Sequence, residues 1–275
     1  MSPVESDEED LTRKQRREQA RTQRKALEEA EAADAARRKR LSQLGIAIAV
    51  VVAAVVVVLI ATGGGKSKTV APSSPEANTT ANAVNAAITG IPQKANTLGS
   101  PTAPVTLRYY GDLECPICRD FTLGALPSII QKWVRTGKLR IEYLSLETAT
   151  REQEVFKTQQ VAALAAGKQN KMWNYIELFY HEQGEENTSY VTESYLQGLA
   201  KQVPGLELAK WTTDRNDATF TNQITSDAQA ANNAGFNGTP SFEIGKTGGP
   251  VTKLEYASLK DPTSFNQAIE KLLKA

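Results

Sequence analysis

Residues 44–61 form an eighteen-residue run in which every side chain is apolar or Gly and none is charged. Wound as a helix at about 1.5 Å per residue, the run is roughly 27 Å long, close to the hydrocarbon thickness of a bilayer. A cleaved signal peptide fits poorly. The preceding region is far too long, the run exceeds the usual apolar core of such peptides, and neither Gly63 to Gly65 nor the distant Ala81-Asn82-Ala83 is a suitable cleavage site. A buried soluble helix fits no better, because the run is rich in Val and has no polar face. A single uncleaved transmembrane helix is expected. The basic cluster Arg37-Arg38-Lys39-Arg40 before it outweighs Lys66 and Lys68 after it, which places the N-terminus in the cytoplasm and everything beyond residue 62 outside.

The span divides the chain. Residues 1–43 mix acids and bases densely around a few apolar residues such as Leu11, Leu27 and Leu41 that form no sustained stripe, the composition of a charged cytoplasmic tail without a core. Residues 62–95 are dominated by Gly, Ala, Ser, Thr, Asn and Pro and are expected to form a flexible stalk, with a weak apolar patch from Val84 to Ile91 that could dock on the domain. Residues 96–275 are left as the part able to fold as a globular domain. With 32 basic against 31 acidic residues, the net charge of +1 gives no field of the kind that gathers nucleic acid. Asn78-Thr79-Thr80 and Asn187-Thr188-Ser189 match the N-glycosylation pattern, but so short a pattern carries no weight alone.

The chain has two cysteines, three positions apart in Cys115-Pro116-Ile117-Cys118, so none is left for a disulfide framework. Before them, Val105, Thr106, Leu107, Tyr109 and Tyr110 make a β-rich run that stops at Gly111-Asp112. After them, Phe121, Leu123, Leu126, Ile129, Ile130 and Trp133 recur at helical spacing up to Gly137. Cys115 is therefore expected at the first turn of a helix that follows a buried strand. Unpaired N–H groups and the helix dipole favour an anion there; they lower the thiol's pKa and make its thiolate the nucleophile. Cys118, one turn on, is the expected resolving thiol. Pro116 suits the first helical position, where its missing N–H costs nothing. Structural zinc needs four ligands, and two cysteines with the lone His181 cannot supply them. His181 is assigned to a helix end, and Asp112 and Glu114 to a solvated turn.

Leu139, Ile141, Tyr143 and Leu144 mark a second strand, residues 151–234 a helical block, Thr239 to Ile244 a further strand, Val251 to Tyr256 its partner, and Phe265 to Leu273 a last helix. The run from Tyr110 through Cys115-Pro116-Ile117-Cys118, the helical block, and Gly238-Thr239-Pro240 leading into a strand resemble the DsbA-like disulfide oxidoreductases of the thioredoxin superfamily. The resemblance implies an α/β thioredoxin-like fold with a helical insertion. It implies that Pro240 is cis and faces the cysteine pair, and that the Thr239 backbone pairs with a bound client strand; a cis X–Pro bond is uncommon and usually kept for such a purpose. Taken alone, Pro240 could equally open an edge strand. Two positions depart from the family pattern. Strongly oxidising members often carry histidine between the cysteines, where Ile117 stands, and many relatives have a carboxylate in the strand at the position of Tyr109.

The implied activity is disulfide formation in secreted or surface proteins, with Cys115 and Cys118 as the catalytic pair supported by Pro116 and Ile117. The redox-active disulfide is itself the redox group, so no metal or organic cofactor is called for. The implied partners are thiol-containing client proteins and a quinone-linked membrane reoxidase of the DsbB or vitamin-K-epoxide-reductase type, in a bacterial cell membrane. The same residues also fit a reductase or isomerase, and a peptide-binding chaperone module whose disulfide is merely structural.

Overall fold

The computed structural model describes residues 75–275. The expected tail, the transmembrane run and the stalk up to residue 74 lie outside the described residues. Among the described residues, no helix is long and apolar enough to cross a membrane.

A six-stranded mixed sheet is organised around β3 (Val105–Gly111), whose residues are all buried except the half-buried Arg108. A strand covered on both faces is recognised by such a near-continuous run rather than by alternation. It runs parallel to β4 (Leu139–Ser145), from Val105 opposite Leu139 to Gly111 opposite Ser145, and antiparallel to β5 (Ser241–Lys246). β6 (Val251–Lys253) closes one edge, and the short pair β1 (Gln93–Lys94) and β2 (Thr97–Leu98) closes the other beside β4. Val105, Leu107 and Tyr109 enter the main core, where Phe242 packs on Phe121 with ring centroids 4.7 Å apart and on Phe265 at 5.1 Å. Tyr110 points the other way, to a small cluster with Leu144, Leu146, Ala231 and Phe236. Arg108 reaches Glu142 at 3.4 Å and Glu243 at 3.5 Å, its partners in register on the two neighbouring strands.

A parallel pair needs a crossover, here the helical stretch after β3. The sequence predicts one continuous helix; the structure breaks it into α2 (Pro116–Leu123), α3 (Ala125–Ile129) and a π turn (Ile130–Val134). The break sits at Gly124, with φ −100° and ψ −91°. A Cβ there would lie 2.5 Å from the Asp120 carbonyl oxygen, 2.8 Å from Lys260 Cα and 2.9 Å from the Leu259 carbonyl oxygen. The chain near Leu259 crosses the helix at this point and accepts the Ala125 N–H at 3.0 Å. Pro127, which has no N–H to donate back, suits a helix already interrupted.

Between β4 and β5 lie α4 (Gln153–Gly167), α5 (Met172–His181), α6 (Glu193–Gln202), α7 (Leu208–Asp214) and α8 (Thr219–Asn233), the expected helical insertion. The final helix α9 (Thr263–Lys274) buries Phe265 and Ile269 under the sheet. The stalk expectation is corrected in its second half. Pro75–Ile88 form a helix, α1, and Ala81, Val84 and Ile88 are buried in the main core together with Ile91. These residues follow helical spacing, but Ala and Asn surround them, so the stripe is too thin to stand out in the sequence. Arg135 fixes the helix end by donating to the Ala87 and Thr89 carbonyls at 2.7 and 3.0 Å. The folded unit thus takes in residues well before 96.

Gly124→Ala should destabilise the protein by about 1–3 kcal/mol, the usual cost of overpacking against atoms that cannot move aside. The midpoint of urea unfolding would fall at unchanged slope; an unchanged midpoint would mean that the crossing at Leu259 is loose.

Candidate active site

Cys115 is the N-cap of α2, and its sulfur accepts the Cys118 backbone N–H at 3.4 Å. Pro116 occupies the first helical turn, as its sequence position predicts. Both cysteines are free thiols. On the far side, Cys115 Sγ donates to the Thr239 carbonyl at 3.4 Å, and the Thr239–Pro240 peptide is cis. The loop carrying Thr239 and Pro240 is held by two short bonds, Ser241 Oγ to the Gly238 carbonyl at 2.7 Å and Tyr256 Oη to the Pro240 carbonyl at 3.1 Å. All six residues singled out in the sequence therefore gather at one place. Pro116 and Ile117 are the exposed lip, Ile117 with 48% of its surface open; Cys118 is fully buried.

The two thiols are driven apart electrostatically. The Cys118 thiol beside it, the Thr239 side chain and the backbone N–H groups of Cys118 and Ile117 lower the Cys115 pKa to about 7, against a partial opposition from burial. Burial pushes Cys118 the other way, well above the ordinary thiol value, and the neighbouring Cys115 adds to the rise. One sulfur is thus poised as an anion near neutral pH and the other is held as a thiol.

Asp112 and Glu114 are not solvated turn residues. Asp112 is fully buried and Glu114 is 2% exposed, because residues 147–150 fold over the turn. The Asp112 carboxylate accepts from the Glu114, Thr148, Ala149 and Thr150 backbone N–H groups at 3.1, 3.0, 2.8 and 3.0 Å, and from Thr150 Oγ1 at 2.7 Å. Thr148, on that loop, shares a hydroxyl hydrogen bond of 2.5 Å with Thr239. A path of hydrogen bonds thus runs from the turn before Cys115 to the loop before Pro240. Glu114 Oε1 accepts the Asn187 N–H at 3.3 Å, and burial raises its pKa. Gln183 Nε2 closes the turn from the helical side, donating to the Leu113 and Cys115 carbonyls at 2.7 and 3.1 Å.

Asp112, Thr148 and Gln183 were not found from the sequence as parts of the site. Thr148 and Gln183 sit in polar connecting segments with no periodic signal, and a turn aspartate looks the same whether a loop covers it or water does. Tyr109, at the position where the resemblance suggests a carboxylate, is buried, and its hydroxyl donates to Tyr180 Oη at 3.1 Å. His181 ends α5, as expected, and is exposed. Among the described residues, no group of three or more His, Cys, Asp or Glu side chains is placed to hold a metal ion.

A strand, a Cys-x-x-Cys at a helix start and a facing cis-proline loop define a thioredoxin-type dithiol site. A family model described as Thioredoxin matches residues 93–271, and the chain belongs to this family. It is 23% identical over 180 residues to a probable disulfide bond formation protein D of Bacillus cereus, covering 64% of this chain and 78% of that protein. It is 24% identical over 182 residues to disulfide bond formation protein D of Bacillus subtilis, covering 64% and 76%. In fold it is similar to oxidised BdbD from Bacillus subtilis, with a TM-score of 0.56 and 21% identity over 67% of this chain and 98% of that one. It is similar also to α-DsbA1 of Wolbachia pipientis, with a TM-score of 0.54 and 22% identity over 65% and 90%.

Two outcomes follow from this geometry. Alkylation of Cys115 in the reduced protein should titrate with a midpoint near about 7. Because this pKa is depressed on folding, its contribution to the reduced protein's stability is complete above the unfolded thiol's value and is lost as pH falls through about 7. A midpoint at the ordinary thiol value would mean that the helix start and Thr239 do not stabilise the anion. Asp112→Asn should cost about 3 kcal/mol, since it leaves buried N–H groups without a charged acceptor, and amides 148–150 should lose protection from hydrogen exchange. Retained protection there would remove Asp112 as the anchor of the loop.

Proposed function

We propose that the chain is an extracytoplasmic thiol–disulfide oxidoreductase that forms disulfides in secreted or surface proteins. The observation that carries this reading is the pairing of a Cys115 thiol whose pKa is lowered to about 7 with a fully buried Cys118, beneath the Thr239–Pro240 loop. The names borne by the Bacillus relatives support the same reading.

In the oxidised enzyme a client thiolate attacks Cys115 Sγ. The client–Cys115 bond forms, the Cys115–Cys118 bond breaks, and Cys118 leaves as a thiolate that takes a proton. The client's second thiolate then attacks its own sulfur in the mixed disulfide. A client disulfide forms and Cys115 departs as the thiolate its surroundings favour. Two electrons have passed from client to enzyme. Stabilising the leaving Cys115 thiolate stabilises the reduced enzyme, which makes the Cys115–Cys118 disulfide a better oxidant. Thr239, half-buried beside Cys115, offers its backbone to an extended client segment, and exposed Ile117 gives it an apolar lip.

A redox partner must take the two electrons back. The partner in this reading is a quinone-linked membrane reoxidase of the DsbB or vitamin-K-epoxide-reductase type. The uncharged run at residues 44–61, with the basic cluster Arg37 to Arg40 before it, supports a single-pass anchor with the N-terminus in the cytoplasm, which keeps enzyme and reoxidase in one membrane. The Cys115–Cys118 disulfide serves as the redox group without metal or organic cofactor.

Equilibration of the full-length protein against glutathione tests the direction of transfer. A reduction potential at or above about −180 mV, in the isomerase-to-oxidase range, is expected; a value near about −270 mV, in the thioredoxin range, would make the protein a reductase.

A further inference from the structure

Three segments of the chain meet at Asn187, a half-buried residue in the connection between α5 and α6. Its φ of +58° lies in the left-handed region, which Asn tolerates better than most residues. From there its backbone N–H donates to Glu114 Oε1 at 3.3 Å, on the turn that leads into Cys115. Its side chain reaches the loop that covers this turn: Nδ2 donates to the Ala149 carbonyl at 3.1 Å, and Oδ1 accepts the Arg151 N–H at 2.9 Å. Those two groups flank Thr150, whose own N–H and hydroxyl both go to the Asp112 carboxylate, at 3.0 and 2.7 Å. The amide thus brackets the residue that binds Asp112 twice. Asn187 also heads the Asn187-Thr188-Ser189 pattern, but both ends of its amide are engaged by the loop, and a sugar there would have to break the bracket.

The bracket bears on the Cys115 sulfur through two arms. One runs along the loop, where Thr148 shares its hydroxyl hydrogen bond with Thr239, whose carbonyl accepts from Cys115 Sγ at 3.4 Å. The other runs through Glu114, the residue before Cys115. Dipolar support of an anion depends on direction and falls off within a turn, so a thiolate held by neutral groups keeps that support only while the groups around it stay in place. We propose that Asn187 is a positioning residue of the dithiol site: it holds the helix start that carries Cys115 and the loop before Pro240 at the separation that stabilises the reduced enzyme. The proposal rests on reading Cys115 and Cys118 as the redox pair. It gives the α5–α6 connection a part in setting how strongly the disulfide oxidises, although Asn187 reaches the sulfur only through Glu114 and residues 148–151.

Asn187→Gly separates positioning from folding, because Gly keeps the left-handed backbone and its N–H to Glu114 while both amide bonds are lost. In the reduced full-length protein, the pH midpoint of Cys115 alkylation should rise, its acid constant falling about three- to tenfold, the weight of one neutral hydrogen bond. The equilibrium constant for disulfide transfer to glutathione should fall with it. A lower midpoint of urea unfolding with a wild-type alkylation profile would overturn the proposal and leave Asn187 a staple of the fold alone. Gln169→Ala is the control. Gln169 makes the same kind of two-bond amide staple, to the Glu207 N–H at 2.8 Å and the Glu207 carbonyl at 3.2 Å, beyond the far end of α4. Its loss should lower the urea midpoint and leave the alkylation profile where it is; an equal shift there would overturn the proposal, since any loosening of the fold would then suffice. If Asn187→Gly does not fold, Thr148→Val cuts the next link of the loop arm, and an unchanged profile in that variant overturns the proposal by itself. A wild type that forms no disulfide in glutathione buffers would instead overturn the redox pair.

Discussion

The site depends on a single buried anion. The Asp112 carboxylate lies at the end of β3, three residues before Cys115, and collects four backbone N–H groups and one hydroxyl. An isolated carboxylate without solvent is costly, and it persists inside a protein only where donors replace its water. Here three of the donors are the consecutive amides of residues 148–150, which have no strand or helix partner of their own. Carboxylate and loop therefore require each other. The loop then does a second task, since Thr148 meets Thr239 across a 2.5 Å hydroxyl pair, and Gln159 ties Thr150 to α4 at 2.8 Å. The helical insertion is thereby fastened to the catalytic turn through a loop that carries no reactive group.

The parallel pairing of β3 with β4 makes this possible. With Gly111 opposite Ser145, both strands end at the same level, and the chain that leaves each one meets the other above the sheet. β5 runs antiparallel beside β3, so its start at Ser241 lies at this same end, and the loop before it delivers Thr239 to Cys115. Three strand ends thus converge where the α2 N-terminus points. Gly111 helps to close the space: a Cβ there would lie 2.7 Å from the Tyr143 ring and 3.1 Å from the hydroxyls of both Tyr143 and Tyr180. A side chain at that position would displace the phenols beneath the cysteine pair.

Much of this was legible in the sequence. The β-rich run into Gly111, the cysteine pair and the apolar positions after it give strand, N-cap and helix from local rules alone, and Gly238-Thr239-Pro240 marks the second half of the site. The DsbA-like resemblance added the cis geometry of Pro240, which no periodicity encodes. Other features were hidden because they depend on partners distant in sequence. Gly124 reads as a tolerable helix glycine until the chain at Leu259 and Lys260 is laid against it. Asp112 reads as a turn residue until residues 147–150 cover it. The apolar patch from Val84 to Ile91 was legible as a docking segment, but the helix Pro75–Ile88 that carries it was not, because its buried stripe of Ala81, Val84 and Ile88 is sparse.

The absence of a histidine between the cysteines shifts the support of the thiolate onto neutral groups. The groups that lower Cys115 most are the Cys118 thiol, Thr239 and the backbone N–H groups of Cys118 and Ile117, and all are dipoles rather than ions. Dipolar support falls off within a turn and depends on direction, so it survives only if the helix start is held still. A mobile cation on a long side chain could follow the sulfur as it moves between thiolate and disulfide; a fixed N–H cannot. This is why the rigidity around Cys115 is spread over so many residues: Pro116 presets the first turn, Gln183 holds the Leu113 and Cys115 carbonyls, and Asp112 fixes the chain just before. Where a cation would have tuned the cysteine by charge, this fold tunes it by position.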